Sequence, residues 1–245
     1  MRTIASEFGH NYGSYSFGYT LHLALETGDD LSNVYTSGYL PESAKRRDEN
    51  LFYMARSVRL PVASYVPSSE NRRIFKKFDG LYTEMILSNE DLRKDKVFHT
   101  LFLRYFKERH GDIVMTKERF DAILDRDLPL RAVCYYENDT LIAAVLEVTE
   151  GSFIHFWFSC FEPSLVHTSL GMWLMQDAAR RAQSEKRDYL YLGTAYGEKA
   201  KYKMNIPNLE YWNGTTWTTD ERLLKEKIRR DDSRSTTYPG DFESA

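Results

Sequence analysis

Apolar residues recur at helical spacing through DLRKDKVFHTLFLRYFKERHG, where Val97, Leu101 and Tyr105, flanked by Phe98, Phe102 and Phe106, form a wide stripe that Gly111 closes. Asn89-Glu90-Asp91 opens this predicted helix, and KERFDAILDRD predicts a shorter second one with Phe120, Ile123 and Leu124 facing inward. The period then changes. Three apolar runs follow, broken at Glu137-Asn138-Asp139-Thr140 and at Glu150-Gly151, which predicts a three-stranded antiparallel meander with two tight turns. A further helix is expected in SLGMWLMQDAARRAQSEKR, with Met172, Met175, Ala179 and Ala182 at helical spacing. DYLYLGTA after it reads as a short buried strand of the parallel type.

Upstream the pattern is less regular. Residues 1–30 are rich in Gly, Ser and Tyr and predict turns and short strands. From Arg59 an extended segment runs to Pro67, and Ser68, Ser69 and Asn71 are good helix-start residues. The helix they would open carries Ile74, Phe75 and Phe78 on one face and Arg72, Arg73, Lys76 and Lys77 on the other. A boundary near residue 92 is expected, giving a smaller N-terminal domain over 1–92 that contributes Arg72 and Arg73, a main domain over 93–221, and a charged helix with a mobile tail over 222–245. The succession helix, helix, three strands, helix, strand matches the GNAT-like acyltransferase fold of the α/β (α+β) class. In that fold one strand splays from its neighbour and leaves a wedge for an acyl donor.

Composition narrows the function classes. The 245 residues carry 33 Lys+Arg against 36 Asp+Glu, a formal charge of -3, with 42% apolar and 28% charged residues. This is the make-up of a soluble globular protein and excludes a mostly disordered chain or a strongly basic nucleic-acid binder, while leaving room for a local basic patch. The two cysteines, Cys134 and Cys160, lie inside predicted strands and are expected to be core residues, not metal ligands or a disulfide. No histidine spacing suggests a metal site. The N-terminal stretch lacks a basic start followed by an apolar run, and no window approaches 18 apolar residues, so neither export nor membrane anchoring is expected and the location expected is cytoplasmic.

A GNAT-like protein that uses coenzyme A needs a Gln/Arg-x-x-Gly-x-Gly/Ala turn whose N–H groups cradle the pyrophosphate. The corresponding stretch here, HTSLGMW, has the single Gly171, so coenzyme A has little support. Taken together, PSSENRR, SLGMW, YLYLG, KAKYK and IPNLEYWNGTTW resemble the arginyl-tRNA–protein transferase family, including its bacterial leucyl-transferring branch, from roughly Gly38 to Trp217. Arg59, Pro61, Pro67, Ser68, Arg72 and Arg73 match one family segment. Glu162-Pro163 ahead of Ser169-Leu170-Gly171 matches a second, and Tyr189, Tyr191, Leu192 and Gly193 match a third. Lys199, Tyr202, Lys203, Pro207 and Glu210 match its basic loop. The cysteine cluster that relatives carry before the Arg-x-Pro segment is missing from ENLFYMARSVR, which marks a divergent member without a bound metal or iron–sulfur cluster, and no cofactor is expected.

The resemblance implies transfer of an amino acid from aminoacyl-tRNA to the N-terminal amine of a protein or peptide, typically one beginning with an acidic residue. Such chemistry asks for positioning, loss of a proton and charge stabilisation, and no Ser-His-Asp or Cys-His set is needed. The candidate tRNA- and substrate-binding residues are Arg72, Arg73, Ser169, Leu170, Gly171, Lys201 and Lys203, and the candidate catalytic residues are Glu147, Glu162 and Tyr202. Each has a plainer alternative. Arg72 and Arg73 fit a solvated helix face, and alternating Lys199, Lys201 and Lys203 fit a protected edge strand as well as a surface for an acceptor stem. Glu147 fits a strand-end carboxylate, Glu162 a turn cap, and His155 a satisfied core residue. Two other functions compete with aminoacyl transfer: acyl-CoA-dependent N-acylation, and tRNA or peptide binding without turnover.

Overall fold

The computed structural model describes residues 7–11, 16–19, 22–26, 28–43 and 50–233. The last dozen residues, expected to be mobile, lie outside the described residues. Strands β1 (Glu7–Asn11) and β2 (Ser16–Tyr19) pair as an antiparallel hairpin. Next come β3 (His22–Ala24), the short helix α1 (Leu31–Thr36), β4 (Tyr39–Pro41) and β5 (Leu51–Met54), whose strands form a small antiparallel sheet in the order β3-β5-β4.

The remaining strands build one large sheet. In chain order the elements are β6 (Ser57–Pro61), α2 (Ser69–Phe78), β7 (Thr83–Ser88), α3 (Asn89–Lys94), α4 (Lys96–His110) and α5 (Lys117–Leu124). They continue with the meander β8 (Leu130–Glu137), β9 (Thr140–Glu150) and β10 (Phe153–Phe161), then α6 (Leu170–Ser184), β11 (Tyr189–Thr194), β12 (Glu210–Trp212), β13 (Trp217–Thr218) and α7 (Glu221–Ser233). The sheet order is β13-β12-β6-β11-β10-β9-β8-β7. All neighbours are antiparallel except β10 and β11, as the helical crossover between them requires. The expected meander, crossover helix and parallel strand are therefore present, in the mixed α/β arrangement of a GNAT-like core.

Local chemistry explains the boundaries. Ser68 and Asn71 form a reciprocal capping box that starts α2. The stretch expected to open as one long helix is two, because Asp95 ends α3 in an extended conformation and caps α4 by accepting from the Val97 and Phe98 N–H groups. Gly111, at φ 91°, ends α4. Asn138 and Asp139 both hold positive φ in the β8–β9 turn, which these two residue types tolerate. The extended segment expected to reach Pro67 is shorter, since β6 ends at Pro61 and a single 3-10 turn spans Val62–Ser64.

Opposite faces of the large sheet hold different partners, as strand alternation demands. Glu147 on β9 reaches Arg181 of α6, whereas its neighbour Val148 packs with Tyr35 of α1 and Phe153. α6 and α2 thus cover one face, while α4 and the N-terminal sheet cover the other. On α4, Phe98, Leu101, Phe102, Tyr105 and Phe106 are buried as the stripe predicts, although Val97 is exposed. Cys134 and Cys160 are buried core thiols.

The expected boundary near residue 92 does not divide the fold. β6 and β7 both precede it, yet β6 sits between β11 and β12 and β7 closes the far edge beside β8. The N-terminal sheet is also stapled to the large one. Ser57 Oγ donates to Gly38 O at 2.9 Å, Trp217 Nε1 donates to Thr36 O at 2.7 Å, and Gly38 lies flat against the Trp212 ring. Gly38 has φ 83°, and a Cβ there would come within 2.5 Å of that ring. Gly38→Ala is therefore expected to cost about 2–3 kcal/mol, combining left-handed strain with overpacking, as a lowered urea midpoint would record.

Candidate active site

The parallel pair β10 and β11 stays in register only over Phe153–Tyr189, Ile154–Leu190 and His155–Tyr191. Beyond His155 the strands part, while β10 continues alongside β9 to Phe161 and β11 continues alongside β6 to Thr194. A bulge between Phe156 and Phe158 falls where the separation begins. In the interior of an eight-stranded sheet, Trp157, Phe158, Ser159 and Gly193 are consequently part-exposed, and so are Gly171 and Met172 at the start of α6. This gap is the wedge that the fold class led us to expect.

α6 begins at the wide end of the gap. Ser169, which precedes the helix, holds the left-handed conformation with φ 70°, and its hydroxyl does not cap the helix. Leu170 is fully buried. A Cβ on Gly171 would stand 3.3 Å from the Phe161 ring of β10, so the lone glycine of this turn is explained by close helix–strand packing.

α2 flanks the same opening. Near its C-terminal end Lys77 donates to Thr168 O at 2.7 Å, one residue before the start of the α6 turn. At its N-terminal end Asn71 reaches Asn205 O at 3.5 Å, in the loop after β11. Arg72 and Arg73, between these anchors, are exposed: Arg72 donates to Pro67 O at 2.7 Å and Arg73 pairs with Glu70 at 2.9 Å. Their guanidinium groups are thus held by weak local contacts and remain open to solvent.

The basic loop departs from expectation. Glu198–Asn205 is a 3-10 helix, not an edge strand, so its lysines do not share one side. Lys201 is exposed and pairs with Glu198 at 3.0 Å. Lys203 turns inward instead and donates to Thr194 O at 2.7 Å, beside Gly193, whose φ of 75° lets the strand end bend there. Desolvation pushes the Lys203 amine down to about 7. Tyr202 is 46% exposed at the rim, next to Arg109 of α4.

Both expected carboxylates are already occupied. Glu147 has no exposed surface; it accepts from Arg131 Nε at 2.8 Å and from Arg181 Nη2 at 2.5 Å. It faces α6 at the closed end of the gap, opposite Phe156, and not the wedge, because alternation turns it toward Arg131 and Arg181. Glu162 is partly buried and ion-paired with Arg104 of α4. Neither is a spare proton acceptor.

Sequence reasoning missed two partners, Arg181 and Tyr35, and the surroundings of a third residue, Arg59. Arg181 lies on the sheet-facing side of α6, one and two turns beyond Ala178 and Leu174; a charge on that apolar stripe was the available signal for a buried counter-ion. Tyr35, 120 residues from His155, has its hydroxyl 2.9 Å from His155 Nδ1. The His155 imidazole is pushed down to about 3, first by burial and then by the charge of Lys203, so it is neutral and its Nε2 has no hydrogen-bond partner among the described residues. Arg59, matched to the family by sequence, lies between the Tyr189 and Trp217 rings at 3.9 and 4.0 Å and bonds Glu210 at 2.7 Å.

Comparison with known proteins supplies the frame for this site. Residues 98–212 match the family described as "Arginine-tRNA-protein transferase, C terminus". The chain is 31% identical over 156 residues to an aspartate/glutamate leucyltransferase of Shewanella putrefaciens, covering 62% of this chain and 63% of that one. It is 24% identical over 217 residues to the enzyme of the same name from Caulobacter vibrioides, covering 80% and 75%. The match thus spans under two thirds of the Shewanella protein. Among solved structures, the C-terminal domain of a putative lysylphosphatidylglycerol synthetase from Agrobacterium fabrum superposes with a TM-score of 0.44 at 8% identity, over 67% of this chain and 51% of that one. The part of the chain that matches the family, residues 98–212, runs from α4 to β12 and includes both strands of the wedge.

Proposed function

We propose that the chain transfers an amino acid from aminoacyl-tRNA to the N-terminal amine of a protein or peptide. The observation that carries this reading is the gap between β10 and β11, rimmed by the start of α6, by α2 and by the basic loop, in a chain whose residues 98–212 match this family. An esterified nucleotide end entering the gap would present its acyl carbonyl beside Gly193 and Lys203. The rate advantage would come from holding amine and ester together, since aminolysis of an activated ester needs no covalent intermediate. Ser169, Leu170 and Gly171 would face the nucleotide end, and Tyr202 offers a ring on which a base can stack.

Arg72 and Arg73 would bind anions, as guanidinium forks do for phosphates and carboxylates. The relatives are named for aspartate and glutamate acceptors and a leucyl donor, so an acceptor with an acidic first residue and leucyl-tRNA are the first pair to test. Use of charged tRNA places the protein in the cytoplasm. None of the described helices is long and apolar enough to cross a membrane.

The deciding assay incubates the protein with tRNA charged with each radiolabelled amino acid and a panel of peptides with different N-termini. Label entering peptide from one charged tRNA supports the reading; stabilisation by coenzyme A with no transfer from any tRNA refutes it. In that assay the Arg72→Ala/Arg73→Ala double variant is expected to raise KM for charged tRNA about tenfold. The slope of log KM against log salt should shrink by roughly 1–2, the signature of lost phosphate contacts.

A further inference from the structure

Transfer of an acyl group to an amine leaves a proton to be moved, and the two candidate carboxylates, Glu147 and Glu162, are tied to arginines. Lys203 is different in kind. Its Nζ lies beyond Tyr191, the last position at which β11 pairs with β10, and donates to the carbonyl of Thr194 where those two strands have parted. No carboxylate of the described residues forms an ion pair with it, and burial alone displaces its amine from the ordinary lysine value. The backbone at Gly193 passes so close that even a methyl group there would stand 3.5 Å from Nζ. A lysine kept for attracting phosphate would stand in solvent as Lys201 does, and one kept for stability would have a counter-ion.

We propose that Lys203 is the catalytic proton carrier of the transfer reaction, taking a proton from the attacking amine and returning it to the departing ribose oxygen. The proposal rests on the aminoacyl-transfer reading above and deepens it. The acceptor ammonium first loses one proton to water, and the free amine attacks the ester carbonyl carbon, forming the C–N bond and an oxyanion. The nitrogen, now positive, gives its extra proton to the neutral Lys203 amine. As the carbonyl re-forms, the C–O bond to the ribose breaks, and the leaving oxygen takes the proton from the Lys203 ammonium. Lysine, amide and free ribose hydroxyl are left, with charge and protons balanced.

The surroundings suit a base that is neutral near pH 7. His155 of β10 feels the Lys203 charge, yet is too buried and too weakly basic to compete. From α4, Arg109 faces Tyr202, and Arg109 and Lys199 both act on His110, so the charged groups of that set are cationic and offer Lys203 no counter-ion. From α7, Asp231 is taken up by Arg56 and the Gly197 N–H. From α2, the loop is met by the uncharged Asn71.

The test compares wild type with Lys203→Arg and Lys203→Gln under saturating charged tRNA and peptide, from pH 5.5 to 9. Wild-type kcat is expected to rise with pH and level off above about 7. Both variants should lose at least about a hundredfold in kcat, with KM for tRNA changed far less. The inflection should vanish from the variants' own profiles and persist in the ratio of wild-type to variant rates, because the acceptor amine, which titrates at about 7.7–8.0 with wild type and variants alike, cancels in that ratio. Melting curves establish that each variant is folded. Lys203→Arg keeps the positive charge, so an arginine variant with near wild-type kcat and pH profile would overturn the proposal while leaving the transfer reading intact. A wild-type protein inert with every charged tRNA would overturn both.

Discussion

Glu147→Ala is expected to lower the unfolding free energy by about 3–5 kcal/mol, the cost of removing one member of a buried ion cluster. The carboxylate has no exposed surface and joins two arginines from different elements, Arg131 of β8 and Arg181 of α6. Arg131 also holds Glu185, and Arg181 also holds Asp177 and the Tyr135 hydroxyl. Without Glu147, the Arg181 guanidinium would keep only part of its compensation in a site where burial penalises charge. In a chain of this length the loss corresponds to roughly 2–4 °C of melting temperature per kcal/mol. Urea unfolding gives the free energy, and the rate of the proposed transfer per folded molecule gives the second readout. That rate should be unchanged, because the carboxylate sits at the closed end of the gap. A normal melting curve with transfer abolished would show instead that Glu147 takes part in the chemistry.

The second large effect is expected at Arg59. This residue is 7% exposed, lies in the middle of the large sheet, and joins Glu210 of β12 to the rings of Tyr189 and Trp217. Arg59→Met should cost about 3–4 kcal/mol, since it strands a partly buried carboxylate and removes two cation–π contacts worth roughly 0.5–2 kcal/mol each. Lysine should not rescue it. An ammonium cannot lie flat between two rings and bond a carboxylate from its edge at the same time. Comparing the urea midpoints of the methionine and lysine variants tests this, and a lysine variant as stable as wild type would contradict the account.

These two residues show what the sequence could and could not reveal. Period and punctuation expose local structure, so the meander, the crossover helix α6, the parallel strand β11 and the helix start at Ser68 were all legible. Matched motifs exposed Arg59, Tyr189 and Glu210 separately, in three different segments, but not that they meet and hold β6 to β11 and β12, since that contact joins segments far apart in the chain. Lys199, Lys201 and Lys203 have the spacing of a strand. The tight 3-10 turn after Gly197, whose φ is 66°, overrides that pattern and sends Lys203 alone into the gap. Glu147 looked like a free carboxylate because its two arginines are 16 and 34 residues away. The wedge itself is tertiary. β10 and β11 separate because β9 and β6 each hold one of them, and neither strand's own sequence contains that information.

The place of β6 inside the large sheet bears on how the polypeptide is made. Pro61 faces Tyr189 and Arg59 faces Glu210, so this early strand has neither neighbour until most of the molecule has been synthesised. At about 5–20 residues per second, the wait lasts on the order of ten seconds. Throughout it the meander can form by short hairpin contacts, but β6 cannot dock and the nascent sheet has an unpaired flank. A fragment cut to the family-matched stretch would carry that unpaired flank permanently, with Tyr189 and Leu190 on an open edge that invites association with other strands.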